Sequence, residues 1–200
     1  MPEQVKDQVM ALLALWNDVD PAVEAAYNEW HAHEHVPERC TVPGILWGRR
    51  YGRESGVGMP RYLTLYGLRD PEVLDSEPYQ RLLREPTPAS RAMRPSLRHL
   101  SRWVCRLHEG AGSGAGSHLS VWTMAQRSPD ADAPSTKLLD APGVVGHLLA
   151  ERIAHASPLP WLTGGQDRGI QGHWLLCAEC DAVTGAALEA CDATLYARLP

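Results

Sequence analysis

Hydrophobic residues fall along the chain in two recurring patterns. The first is a short, nearly continuous apolar or alternating run. VMALLALWND (9–18), RYLTLYGLRD (61–70) and HLSRWVCRLHE (99–109) read as strands, and PGILWGRRYGR (43–53) turns at Pro43-Gly44 into another. In RYLTLYGLRD the period of two puts Tyr62, Thr64 and Tyr66 on one face and Leu63 and Leu65 on the other. The second pattern is helical. PAVEAAYNEWHAHEH (21–35) opens with Asp20 as a cap and Pro21 in the first turn, and Pro37 is expected to stop it. DPEVLDSEPYQRLLRE (70–85) repeats the signature with Asp70 and Pro71, and a short helix is expected around TPASRAMRP (87–95).

The order strand, helix, strand, strand, helix, strand returns in shorter form after a Gly/Ser tract, EGAGSGAGS (109–117), which reads as a flexible linker. HLSVWTMAQ, APGVVGHLLAERI, GHWLLCAECD, AVTGAALEACDAT and LYARLP supply the second set. The expected fold class is therefore α+β: two tandem ferredoxin-like βαββαβ units, over 1–108 and 118–200, packed as an intramolecular dimeric α+β barrel. Bare sheet faces would pack on each other. The second unit is shortened, because PSTKLLDA leaves no room for a helix of the first unit's length.

Composition narrows the function. Hydrophobic residues make up 44% and charged residues 22% of 200, ordinary for a globular protein with a real core. A net charge of −5 argues against a nucleic-acid platform. No apolar run reaches the roughly 20 residues that span a bilayer, and no targeting segment is read at the N-terminus, so a cytoplasmic home and no membrane partner are expected. Five scattered cysteines, with one CxxC at Cys177 and Cys180 inside a strand-like segment, read as free thiols. The glycines of RESGVGMP and LTGGQDRG lack the strand-to-helix setting of a phosphate loop. Arg81, Arg84, Arg91, Arg94 and Arg98 form a basic run, either an anion contact or a solvated face.

The chemistry concentrates in NEWHAHEHVPER (28–39), with three histidines, three glutamates and an arginine around Trp30. At about 100° per residue, Val23, Tyr27 and Trp30 share a core stripe, and Glu34 lies about 40° from Trp30, inside it. His31, His33 and His35 fall at or beyond the stripe's edges. A carboxylate on a core stripe needs a partner or a pocket. His35, in the last turn, makes with Glu34 a candidate acid/base pair. The H-x-x-E-H pattern also fits a zinc helix, but the expected stop at Pro37 leaves too short a helix, and no metal is expected. Trp16, Trp47, Tyr51, Tyr62 and Tyr66 are candidate aromatic walls for a pocket, or core filling. His147, His155 and His173 of the second half read as structural.

The run from Trp30 through His35, Pro37, Arg39, Pro43 and Gly44, with RRY at 49–51, PRYLTLY at 60–66, SEPY at 76–79 and PTPASRAM at 86–93, resembles the dimeric α+β barrel superfamily in its EthD-like branch. The resemblance covers roughly residues 9–107, and the Gly/Ser tract would make the chain a tandem fusion. It implies a small-molecule enzyme; the superfamily includes cofactor-free aldol cyclases, lactone isomerases, quinone-forming monooxygenases and haem proteins. The expectation is cofactor-independent acid/base chemistry next to a carbonyl: cyclase, isomerase or lyase. His35 and Glu34 would be catalytic, and Trp30, Tyr51, Tyr62, Tyr66 and Arg39 would bind substrate. A ligand-binding accessory protein and a cofactor-free monooxygenase are the alternatives, and a pseudo-dimer within one chain, open to further homo-oligomerisation, is the expected assembly.

Overall fold

The computed structural model describes residues 8–56, 58–112, 116–127, 141–155, 159, 169–189 and 192–200. The first half contributes β1 (Ala11–Val19), α1 (Glu24–Trp30), a π-helical turn (His31–His35), α2 (Val36–Cys40), β2 (Ile45–Ser55), β3 (Tyr62–Leu68), α3 (Glu77–Arg84), α4 (Pro88–Met93) and β4 (Leu97–Gly112). The second contributes β5 (His118–Met124), β6 (Val144–Arg152), β7 (Trp174–Cys180), α5 (Ala182–Glu189) and β8 (Thr194–Leu199). The proposed stub PSTKLLDA lies largely outside the described residues, as does the middle of the Gly/Ser tract, while Glu109 to Gly112 extend β4.

The expectation of two ferredoxin-like units packed face to face is corrected. The eight strands form one closed antiparallel barrel in the order β1-β3-β2-β8-β5-β7-β6-β4. The halves meet edge to edge: β2 pairs with β8 from Arg50↔Leu199 to Ser55↔Leu195, and β4 pairs with β6 from Cys105↔Arg152 to Gly112↔Gly146. The physical reason is that each half-sheet ends in strands with unpaired N–H and C=O groups, and closure satisfies both edges at once. The helices lie almost entirely on the first half; among the described residues the second half has only α5.

Alternation along the strands builds two cores. Inward positions, including Leu12, Trp16, Leu63, Leu65, Trp103 and Tyr196, fill the barrel, where the Trp16 and Trp103 rings meet edge to face at 5.4 Å. Outward positions of the first half, such as Leu13, Tyr66, Leu68 and Val104, pack under Val36, Leu74, Tyr79 and Leu83 of the helical layer. Capping fits the sequence: Asp20 accepts from the Ala22 amide at 3.0 Å and Asp70 from the Val73 amide at 3.0 Å.

The helix does not stop at Pro37 but continues through α2. The turn before it is π-helical, with the Val36 amide bonded to the His31 carbonyl five residues back. That wider turn relieves the contact between the proline ring and the preceding carbonyl that would break an ordinary α-helix.

Truncating Trp16 removes one of the two tryptophans that fill the barrel centre. Trp16→Ala is expected to lower unfolding free energy by about 3–5 kcal/mol, read from urea denaturation. Val183→Ala, at a position 82% exposed, should change it by less than about 0.5 kcal/mol. Equal effects would contradict the barrel core described above.

Candidate functional site

Between the outer face of the first half-sheet and its helices lies a cavity of about 50 Å³. Its apolar lining includes Leu15, Trp30, Leu83 and Leu100, and its polar lining includes His31, His35, Arg39, Ser90 and Arg94. The π-turn lies along it. His31 and His35, four residues apart, share one face of this turn, rings 5.1 Å apart and 25° from parallel. Trp30 closes one side, 4.5 Å from the His35 ring, and its indole N–H donates to Ser90 Oγ at 3.3 Å.

The two histidines differ in their partners. His31 is 6% exposed, and its Nδ1 accepts from Arg50 Nε at 2.8 Å. That bond fixes the neutral tautomer with its proton on Nε2. Burial pushes the His31 pKa down to about 3, and the Arg50 and Arg39 charges push the same way. Arg50 is anchored in turn: Nη2 donates to Asn28 Oδ1 at 2.7 Å, Asn28 Nδ2 to the Tyr62 hydroxyl at 2.9 Å, and Tyr62 to Glu24 Oε1 at 2.6 Å. His35 has no such anchor. Its Nδ1 is buried without a hydrogen-bond partner among the described residues. Burial first, then His31, Arg39 and Arg94, hold its pKa well below the ordinary imidazole range. His35 is therefore a neutral imidazole beside two guanidinium groups.

Glu34 is turned away from the cavity lining. It accepts a hydrogen bond from the Thr87 hydroxyl, which also caps α4 by accepting from the Ser90 amide at 3.1 Å. The helical phase that put Glu34 on the core stripe assumes an unbroken α-helix, and the π-turn resets it. His31, expected at the periphery, is buried, with its ring stacked on that of buried Tyr27 at 5.1 Å. His33 is exposed and 3.6 Å from Glu29. Arg39 lines the cavity and is held by Glu38 at 3.2 Å. Tyr66 is buried under the helices with its hydroxyl unpartnered among the described residues; burial raises its pKa. Tyr62 lines a separate polar groove with Arg50 and Arg61, and Tyr51 lies inside the barrel.

Sequence reading missed Asn17, Arg50 and Ser90 and left Arg94 undecided. Of the basic run, Arg84 pairs with Glu77 and Arg98 with Asp20, each at 2.5 Å. Arg94 instead turns to the cavity and donates to the Leu83 carbonyl at 3.2 Å. Arg50 had a legible signal: two consecutive arginines in a strand covered on both faces must send one guanidinium each way.

Among the described residues, no three His, Cys, Asp or Glu side chains gather as metal ligands. At about 50 Å³ the cavity as it stands has room for neither a haem, carried by some members of the resembled superfamily, nor a ring system. No helix among the described residues is long and apolar enough to cross a membrane.

No protein-family model and no curated protein matches the sequence. Solved structures do match the fold. An anthrone oxidase-like protein superposes with a TM-score of 0.60 at 14% identity, over 98% of this chain and 93% of its own. A candidate monooxygenase from Fusobacterium nucleatum subsp. nucleatum gives 0.56 at 10% identity, over 96% and 94%. A candidate chlorite dismutase gives 0.53 at 10%, over 96% and 95%. These neighbours are of the dimeric α+β barrel type, and the likeness is one of fold.

His31 gives a pH signature. Its folded pKa of about 3 lies below the ordinary 6.5, so between those values the unfolded chain binds the extra proton and stability falls as pH drops. Between pH 7.5 and 5.0, His31→Gln should lose about 2 kcal/mol less than the parent protein, measured by urea denaturation at both pH values. Parallel losses would show that His31 is not held neutral.

Proposed function

We propose that the chain is a cofactor-independent enzyme that removes a proton next to a carbonyl in a hydroxylated aromatic substrate and passes the resulting anion to dioxygen. The observation that carries this reading is the neutral imidazole of His35, its Nδ1 without a partner among the described residues, in a largely apolar cavity that Arg39 and Arg94 also line. A neutral imidazole accepts the proton, and the guanidinium groups stabilise the enolate that forms. The Nε2 proton of His31 is available to the enolate oxygen. The electron-rich anion gives one electron to dioxygen, and the substrate radical and superoxide combine. The peroxide takes the proton back from His35 and loses water, leaving a new carbonyl. One CH₂ and one O₂ become one C=O and one H₂O.

The names of the fold neighbours, anthrone oxidase-like and monooxygenase, favour oxygen over an internal carbonyl as acceptor. A cavity of about 50 Å³ is smaller than a ring system requires, so substrate entry displaces the α3–α4 flank. Placement in the EthD-like branch as a tandem fusion belongs to the same reading. It rests on the motif residues from Trp30 to Gly44 and on the two seams that join the halves.

With an anthrone substrate, the protein should consume one O₂ per turnover on an oxygen electrode. His35→Ala should reduce turnover by about 10²–10⁴-fold while keeping the folded circular dichroism spectrum. Undiminished turnover in that variant sinks the assignment of His35. Turnover that persists without oxygen identifies a cyclase or isomerase, and tight binding without conversion identifies an accessory binding protein. Because the His35 pKa is held low, the rate should show no loss centred near pH 6.5; a bell limb there would contradict a base held neutral.

A further inference from the structure

A second chamber lies at the end of the barrel where β1 begins, on the opposite side of the sheet from His35. It has a volume of about 260 Å³, and its walls include Trp47 and Arg49 of β2, Leu107 of β4, His147 and Leu148 of β6, and Glu179 of β7. Two buried polar groups there have spare hydrogen-bonding capacity. Glu179 is 5% exposed; its Oε1 pairs with Arg49 Nη1 at 2.5 Å, and its Oε2 has no partner among the described residues. His147 is 6% exposed, and its Nδ1 likewise has none. A buried carboxylate oxygen without a donor is costly, so this arrangement is built for one.

The chamber's construction is specific. The Trp47 ring lies flat on Gly67 of β3, where an added Cβ would come within 2.3 Å of it, and the Arg49 guanidinium stacks 4.2 Å from the ring centroid. Gly67 thus sets the height of Trp47, and Trp47 holds Arg49 over Glu179. The opposite wall is the start of the Gly/Ser tract. Gly110 and Gly112 add no side chain there. Gly112, at φ 104°, runs so close to Gly146 that an added Cβ would lie 2.2 Å from its Cα. A tract that reads as a tether is, at its first residues, the wall of a pocket.

Charge selects the ligand. Arg49 and Glu179 neutralise each other, and burial keeps His147 in its neutral form. An anion would meet Glu179 and a cation would meet Arg49, whereas an uncharged molecule with one O–H or N–H donor satisfies Glu179 Oε2 and lays its apolar body against Leu107 and Leu148. The geometry points to a binding site for a small uncharged alcohol or amide in the barrel mouth, separate from the His35 cavity.

Four probes of nearly one shape test this: benzyl alcohol, toluene, benzoate and benzylammonium. Each is titrated into ¹⁵N-labelled protein while the Trp47 indole N–H resonance is followed, assigned with Trp47→Phe. Benzyl alcohol should shift that resonance with a Kd at least about 10-fold below the other three, the worth of one hydrogen bond to a carboxylate. Leu148→Trp should fill the chamber and abolish the shift without altering His35-dependent turnover. Should that variant fail to fold, Arg49→Met/Glu179→Met replaces the buried pair by apolar side chains and should erase the preference for the alcohol over toluene. A charged probe binding as tightly as the alcohol, no shift with any probe at millimolar concentration, or an alcohol preference that survives the double variant would each overturn the assignment.

Discussion

The hydrogen bond from the Val36 amide to the His31 carbonyl spans five residues instead of four, and the geometry of the candidate site follows from that one extra residue. It resets the phase of the residues that follow, and Glu34 bonds Thr87 while His31 and His35, four residues apart, keep one face. It also lets the helix run past Pro37, so that Arg39 reaches the cavity wall. A regular helix would be broken by Pro37 before Arg39. π-Turns cost regular hydrogen bonding and recur where side chains must converge on a site. Here one histidine is anchored by Arg50 and the other has a ring nitrogen without a partner among the described residues.

Barrel closure supplies the rigid half of the arrangement. Arg50 reaches His31 because β2 is held between β3 and β8. Its neighbour Arg49 points into the barrel and pairs with Glu179 of the other half. The two halves share a strand pattern but not a helical layer. The His31–His35 turn, α3 and α4 all cover the first half, and the described second half offers no equivalent of NEWHAHEHVPER.

Much of this was legible in the chain. Alternation located the strands, Asp-Pro pairs located the helix starts, and Trp30 and His35 stood out by residue type. Three things were not legible, each for a physical reason. A period of two marks an inward and an outward face equally well for packed sheets and for a closed barrel, so the expected barrel was pictured as two units packed face to face instead of one sheet closed edge to edge. A π-turn leaves no mark in residue spacing, so the phase of Glu34 was misjudged. Glycines that permit a close approach between β4 and β6 read the same as glycines in a free tether, so the wall of the barrel mouth was taken for a linker.

Closure also limits how this molecule can meet others. Along the two seams, Arg50–Ser55 of β2 with β8 and Cys105–Gly112 of β4 with β6, the backbone donors and acceptors of both edges are already taken. A foreign strand cannot add to the sheet there without first parting the two halves. Along those stretches a partner is engaged through side chains.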